Sequence, residues 1–172
     1  MLVAGCAGSS PSNQPQPADQ QALSSYVHQI EPLRHRVDKL LEGADPILRG
    51  YHGNDLSVAQ AQRGMRQIER RFARYRARVA AVKPVPPDLA AAQRAYANTY
   101  VQEDAYLRAL IAAMPRRHWS TLPHTEDAQR QALVAWRASL ALEAARVHVQ
   151  IPGDIAVAGR DEIAPDPDGD DD

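Results

Sequence analysis

Between Leu23 and Tyr51, apolar side chains recur at a strict seven-residue interval. Leu23, Ile30, Val37, Ala44 and Tyr51 hold one position of the repeat, and Tyr26, Leu33, Leu40 and Ile47 hold the other. A strand, alternating every second residue, would scatter these side chains over both of its faces, whereas a helix gathers them into one stripe. The spacing therefore predicts a helix with a long apolar seam that needs other seams to cover it. Composition points the same way. With 5% aromatic residues, a single Phe and 9 Gly in 172 residues, the chain is poorly suited to a many-stranded sandwich, a collagen-like fibre or a glycine-rich nucleotide-binding fold. The length suits one domain, and 44% hydrophobic residues suffice for a modest core. Apolar runs stay far below the roughly 18 residues that span a bilayer, so no transmembrane helix is expected.

Prolines at 84, 86 and 87, at 115 and 123, and at 152 divide the rest of the chain into segments of helical length. The first helix is expected over about Asp19 to Arg49, with a kink near Pro32 and a break near Asp45-Pro46, and Gly50 to Asp55 forms the first turn. The second starts at Ser57, where Ser57-x-x-Gln60 has the form of a capping box, and points Val58, Ala61, Met65, Ile68, Phe72, Tyr75, Val79 and Val82 inward. Asp88 is placed to cap the third, which turns Leu89, Ala92, Tyr96, Tyr100, Leu107, Leu110 and Met114 inward. Thr125, followed by Glu126 and Asp127, opens the fourth, with Leu133, Trp136, Leu140, Ala144, Val147 and Ile151 inside. Short joints between helices of matched length predict an all-α, antiparallel up-down-up-down four-helix bundle over residues 19–152.

The formal net charge of −1 conceals two blocks. From Asp161 to Asp172 there are seven acids and no base, so 153–172 is expected to be an acidic, disordered tail, with Ile155 to Val157 free to cover one bundle end. Between Arg63 and Lys83, seven arginines and one lysine face Glu69 alone. Arg outnumbers Lys by 18 to 2, and Ala is abundant, a usage that resembles GC-rich bacterial genomes.

The lone cysteine, Cys6, lies in Leu2-Val3-Ala4-Gly5-Cys6: an aliphatic residue, two small residues, then the thiol. This resembles the lipobox of bacterial lipoproteins, and the resemblance covers those few residues only. It implies a diacylglycerol thioether on the Cys6 sulfur, cleavage before Cys6, and a signal-peptide remnant at 1–5. Five residues precede Cys6 here, without a charged segment. A Ser/Pro/Gln-rich tether, 6–18, follows, of the kind that cannot bury a core. The implied location is the extracytoplasmic side of a cell membrane, plasma or outer, held by two or three acyl chains. The chain as a whole resembles the small uncharacterised helical lipoproteins of GC-rich bacteria.

Three constellations could carry chemistry. On the first helix His28, Glu31, His35, Asp38, Glu42 and Asp45 follow at alternating intervals of three and four, and His28, Glu31 and His35 could face one metal ion. A polar stripe opposite an apolar seam is the simpler account, and no metal or other cofactor is assigned. On the second helix Arg63, Arg66, Arg70 and Arg74 form a basic stripe suited to phosphate or carboxylate groups, such as anionic headgroups or wall polymers. Its simpler reading is a solvated face partly neutralised by the acidic tail. Nucleic acid is not the expected partner, since no aromatic residues interleave with the arginines. On the third helix Glu103 falls within the inward series and needs a partner, which tyrosines or an arginine could supply in a polar, ligand-sized cluster. His118 and Trp119 read as packing at the bundle end. Nucleophile elbows, paired cysteines, zinc-protease and phosphate-loop motifs are absent. A non-enzymatic interaction or structural module is therefore the first reading, with an unknown protein partner possible, and a ligand- or metal-binding lipoprotein is the alternative.

Overall fold

Pro17 starts the first helix. Gln16 before it is extended (φ −74°, ψ 140°), and the proline, whose fixed φ already suits a helix and whose missing N–H would have had no partner there, occupies the first turn. Helix thus begins two residues ahead of the expected Asp19. The computed structural model describes residues 16–153. Cys6, the tether up to residue 15 and the acidic run beyond Gly153 lie outside the described residues.

Five helices follow in order: α1 (Pro17–Glu42), α2 (Asp45–His52), α3 (Val58–Ala80), α4 (Ala90–Ala113) and α5 (Glu126–Val147). No strand occurs among the described residues. Helix α1 runs through Pro32, which is exposed, so the carbonyl deprived of a donor lies on the solvent side. The break comes at Gly43-Ala44, just ahead of Asp45-Pro46, and Pro46 then serves the first turn of α2. The turn expected over Gly50 to Asp55 is shorter, because α2 continues to His52. Asn54 takes the left-handed conformation there (φ 64°), which asparagine tolerates better than most residues.

Antiparallel neighbours close the ring. α1 packs on α3 and α5, and α4 packs on α3 and α5, so α1 and α4 stand at opposite corners, as do α3 and α5. Side-chain bonds fix the directions. Gln20 near the start of α1 donates to the Val147 carbonyl at the end of α5 (2.9 Å), Gln62 near the start of α3 donates to the Ile111 carbonyl near the end of α4 (2.8 Å), and Gln93 near the start of α4 donates to the Val79 carbonyl near the end of α3 (3.1 Å). The architecture is the antiparallel four-helix bundle, with the short α2, which follows α1, also packed on α3.

The seam fills the interior. Leu23, Ile30, Val37, Ala44 and Tyr51 are all buried, whereas of the second register Tyr26 and Leu40 are buried and Leu33 and Ile47 half-buried. Ala61, Met65, Ile68, Phe72 and Val79 of α3, Tyr96, Tyr100, Leu107 and Leu110 of α4, and Leu133, Trp136, Leu140 and Val147 of α5 meet them. Val58, expected inside, is exposed, because as the first residue of α3 it stands beyond the packed length.

Two caps differ from expectation. Ser57 accepts from the Gln60 amide while the Gln60 side chain accepts from the Ser57 amide, completing the capping box. Asp88 does not cap α4; it sits inside a 3-10 turn, Pro87–Leu89, with its carboxylate 3.7 Å from Arg146. Thr125 stands at the N-cap of α5 but makes no side-chain cap bond.

Candidate functional site

On α3 the buried residues Ala61, Met65, Ile68 and Phe72 define the inner face, and Arg63, Arg66, Arg70 and Arg74, spaced three and four apart, fall opposite them. All four are exposed, as are Arg71 and Arg78 beside them. None of the six makes an ion pair among the described residues; Arg66 bonds only to the Gln62 side chain (3.2 Å), and Arg78 lies over the half-buried Tyr75 ring at 5.9 Å. The seventh arginine, Arg76, behaves differently. It turns toward α4 and pairs with Asp104, a carboxylate 1% exposed that Arg108 also holds at 2.9 Å. Arg108 reaches back to Glu69 at 3.0 Å, and that hydrogen bond, with the charge of Asp104, raises the guanidinium pKa further. The only acid on α3 is thus already matched, and a chain Glu69–Arg108–Asp104–Arg76 ties α3 to α4.

The acidic and imidazole stripe of α1 is organised by a residue that its own pattern missed. Arg34 is 2% exposed and lies 3.4 Å from Glu31 and 3.6 Å from Asp38, one turn before and one turn after it. These carboxylates compensate a buried guanidinium. His28, Glu31 and His35 do come together, along an open groove of about 580 Å³ whose other walls include Val27, Pro32, Val149 and Pro152. Even so, no group of three or more His, Cys, Asp or Glu among the described residues is placed to hold a metal ion. The weak metal candidate is corrected accordingly: the three residues share a groove and not a coordination sphere.

Glu103 is 1% exposed, as its place in the inward series requires. Its Oε2 accepts from Gln129 Nε2 at 3.1 Å, and the same amide reaches the Thr99 carbonyl at 3.2 Å. The tyrosines nearby in the core are engaged with other rings and with one another. Tyr96 stacks on Trp136 (centroids 4.3 Å apart, planes at 13°), its hydroxyl meets that of Tyr100 at 2.8 Å, and Tyr100 stacks in turn on Phe72. Trp136 Nε1 donates to the Tyr26 hydroxyl, which itself donates to Gln93. The polar groups of the interior serve one another across three helices.

At the far end, Trp119 meets the rings of Tyr51 and His52 edge-on or tilted, and the Arg117 guanidinium lies 5.0 Å from the Tyr51 ring centre, as packing at the bundle end requires. His118 is exposed.

Sequence reasoning overlooked the buried polar residues Arg34, Gln93, Asp104, Gln129, Arg137 and Glu143. Two of these were legible: Gln129 continues the α5 seam one turn back from Leu133, and Arg34 stands between Glu31 and Asp38 at helical spacing. No candidate span long and apolar enough to cross a membrane occurs among the described residues. Comparison with protein-family models, with curated proteins and with solved structures finds no match to this chain.

Proposed function

We propose that this chain is a lipid-anchored, extracytoplasmic helical bundle that works by presenting its outer faces to partners and not by catalysis. The observation that carries the reading is the division between inside and outside: Tyr26, Tyr96, Tyr100, Phe72 and Trp136 fill the interior, while six arginines with no acidic partner among the described residues stand outside on one helix. Catalysis would call for a cleft where titratable groups converge on a substrate. The anchor rests on Val3-Ala4-Gly5-Cys6 and on the polar stretch that follows. Expression in a bacterial host with fractionation tests it. The parent protein should partition with membranes and yield an acylated amino-terminal Cys6 by mass spectrometry, and Cys6→Ala should be soluble. Retention of Cys6→Ala in the membrane would refute the anchor.

A second reading, a ligand-binding lipoprotein, draws its support from the open groove that Val27, Pro32, Val149 and Pro152 line beside His28, Glu31 and His35. Saturable binding of an apolar, environment-sensitive dye, lost in His28→Ala/His35→Ala, would favour it. A flat titration would remove it.

A further inference from the structure

We infer that the outer face of α3 docks the bundle, lying flat, on a phospholipid surface rich in anionic headgroups; the inference builds on the membrane location proposed above and adds the face that meets the lipid. Arg63, Arg66, Arg70, Arg71, Arg74 and Arg78 span sixteen residues, and the fifteen steps between the first and the last cover roughly 22 Å of helix at 1.5 Å per residue. They project from a helix held straight on its inner side by the packed residues Met65, Ile68, Phe72 and Val79. The result is a rigid row of planar cations, and a guanidinium binds phosphate through paired hydrogen bonds that an ammonium cannot reproduce.

The neighbouring helices leave this row unneutralised. Toward α4, Glu69 and Asp104 are held by Arg108 and Arg76. On α1, Glu31 and Asp38 turn to Arg34, and Glu31 lines the groove beside Val149 and Pro152, while Gln29 is the residue that reaches the end of α3, at the Lys83 carbonyl (2.7 Å). The face carries alanines between its arginines, at 73 and 77, and beyond them at 59 and 81, and no exposed aromatic ring. Bases therefore have nothing to stack on, which disfavours single-stranded nucleic acid, and there is no large apolar side chain to insert among acyl chains. A flat lattice of phosphates, met electrostatically, is the surface that fits. The seven carboxylates of the acidic run at 161–172, outside the described residues, are the competing anions that the sequence itself supplies, and ion pairs exposed to solvent are weak and screened by salt. A tethered bundle instead faces headgroups at high local concentration.

The test uses the full chain carrying Cys6→Ala, so that no acyl chain contributes and failure of the anchor is read separately by fractionation. Co-sedimentation is measured with vesicles of phosphatidylglycerol and phosphatidylcholine, and with phosphatidylcholine alone. Binding should need phosphatidylglycerol and weaken at least tenfold from 0.1 to 0.5 M salt. Arg66→Gln/Arg70→Gln/Arg74→Gln should weaken it on the order of 100-fold, about fivefold for each arginine removed. The charge-matched control Arg94→Gln/Arg116→Gln/Arg130→Gln should lose less than about a tenth of that effect. Equal losses in both triple variants would overturn the inference, as would binding to soluble polyphosphate without binding to vesicles. So would a parent that ignores phosphatidylglycerol vesicles until Asp166, Asp168, Asp170, Asp171 and Asp172 are changed to Asn, since the tail would then be the occupant.

Discussion

Trp136 donates its indole N–H to the hydroxyl of Tyr26 across 2.7 Å, joining α5 to α1 in the middle of the core. Both side chains are fully buried, and the Tyr26 hydroxyl donates its own hydrogen bond to the Gln93 side-chain oxygen on α4, so a single oxygen connects three helices. Tyr26→Phe deletes that one atom but strands two buried polar groups, the indole N–H and the Gln93 carbonyl oxygen. It should cost about 2–4 kcal/mol, since each orphaned group carries its own desolvation penalty. Urea denaturation of Tyr26→Phe, Trp136→Phe and the double variant should show losses that do not add. Additive losses would mean that the bond contributes nothing of its own.

Leu40 of α1 and Phe72 of α3 are both buried in the core. Leu40→Asp or Phe72→Asp places an unpaired carboxylate there and should abolish the cooperative melting transition. Arg70→Ala, on the exposed face, should shift the stability by no more than about 0.5 kcal/mol. Circular dichroism melts of the three proteins compare the two faces directly.

Gly64 permits the close approach of α2 to α3. A Cβ there would stand 2.9 Å from Ile47 Cδ1. Alanine gains about 1 kcal/mol of helix propensity over glycine, and Ile47 is half-buried with a terminal methyl that can move, so Gly64→Ala should be close to neutral. Gly64→Leu has no such escape and should lose about 1–3 kcal/mol through overpacking. Equal stability of the two variants would show that α2 lifts off easily.

Glu143 gives the bundle a pH dependence. Its two bonds to Arg146, each 2.7 Å, hold the carboxyl below its usual value of 4.5, against the upward push of burial. Arg146 also reaches Asp19 and Asp88, and its own pKa is raised, chiefly by the bond to Glu143. A folded pKa below the unfolded one means that the stabilisation is present above about pH 4.5 and fades as acid protonates the folded carboxyl. Glu143→Gln should therefore be less stable than the parent at pH 7, with the gap narrowing as pH falls from 5 to 3. Denaturation midpoints across that range supply the test, and a gap that stays constant would dissociate the pair from acid stability.

The sequence alone determined the class of fold. A seven-residue seam such as Leu23–Ile30–Val37–Ala44–Tyr51 has only one solution that hides it, helices packed seam to seam, and prolines set where those helices end. Glu103 was also legible as a candidate for burial, because it falls within the inward series of α4. Tertiary structure decided everything that depends on what stands across the gap. It showed that Gln129 donates to Glu103, that Tyr96 stacks on Trp136 and Tyr100 on Phe72, and that Arg34 claims Glu31 and Asp38. It also separated Arg76, bound to Asp104, from the six arginines left facing outward. The reason is physical: periodicity fixes which way a side chain points from its own helix, but the partner it meets is set by the register and rotation of neighbouring helices, which no single helix encodes.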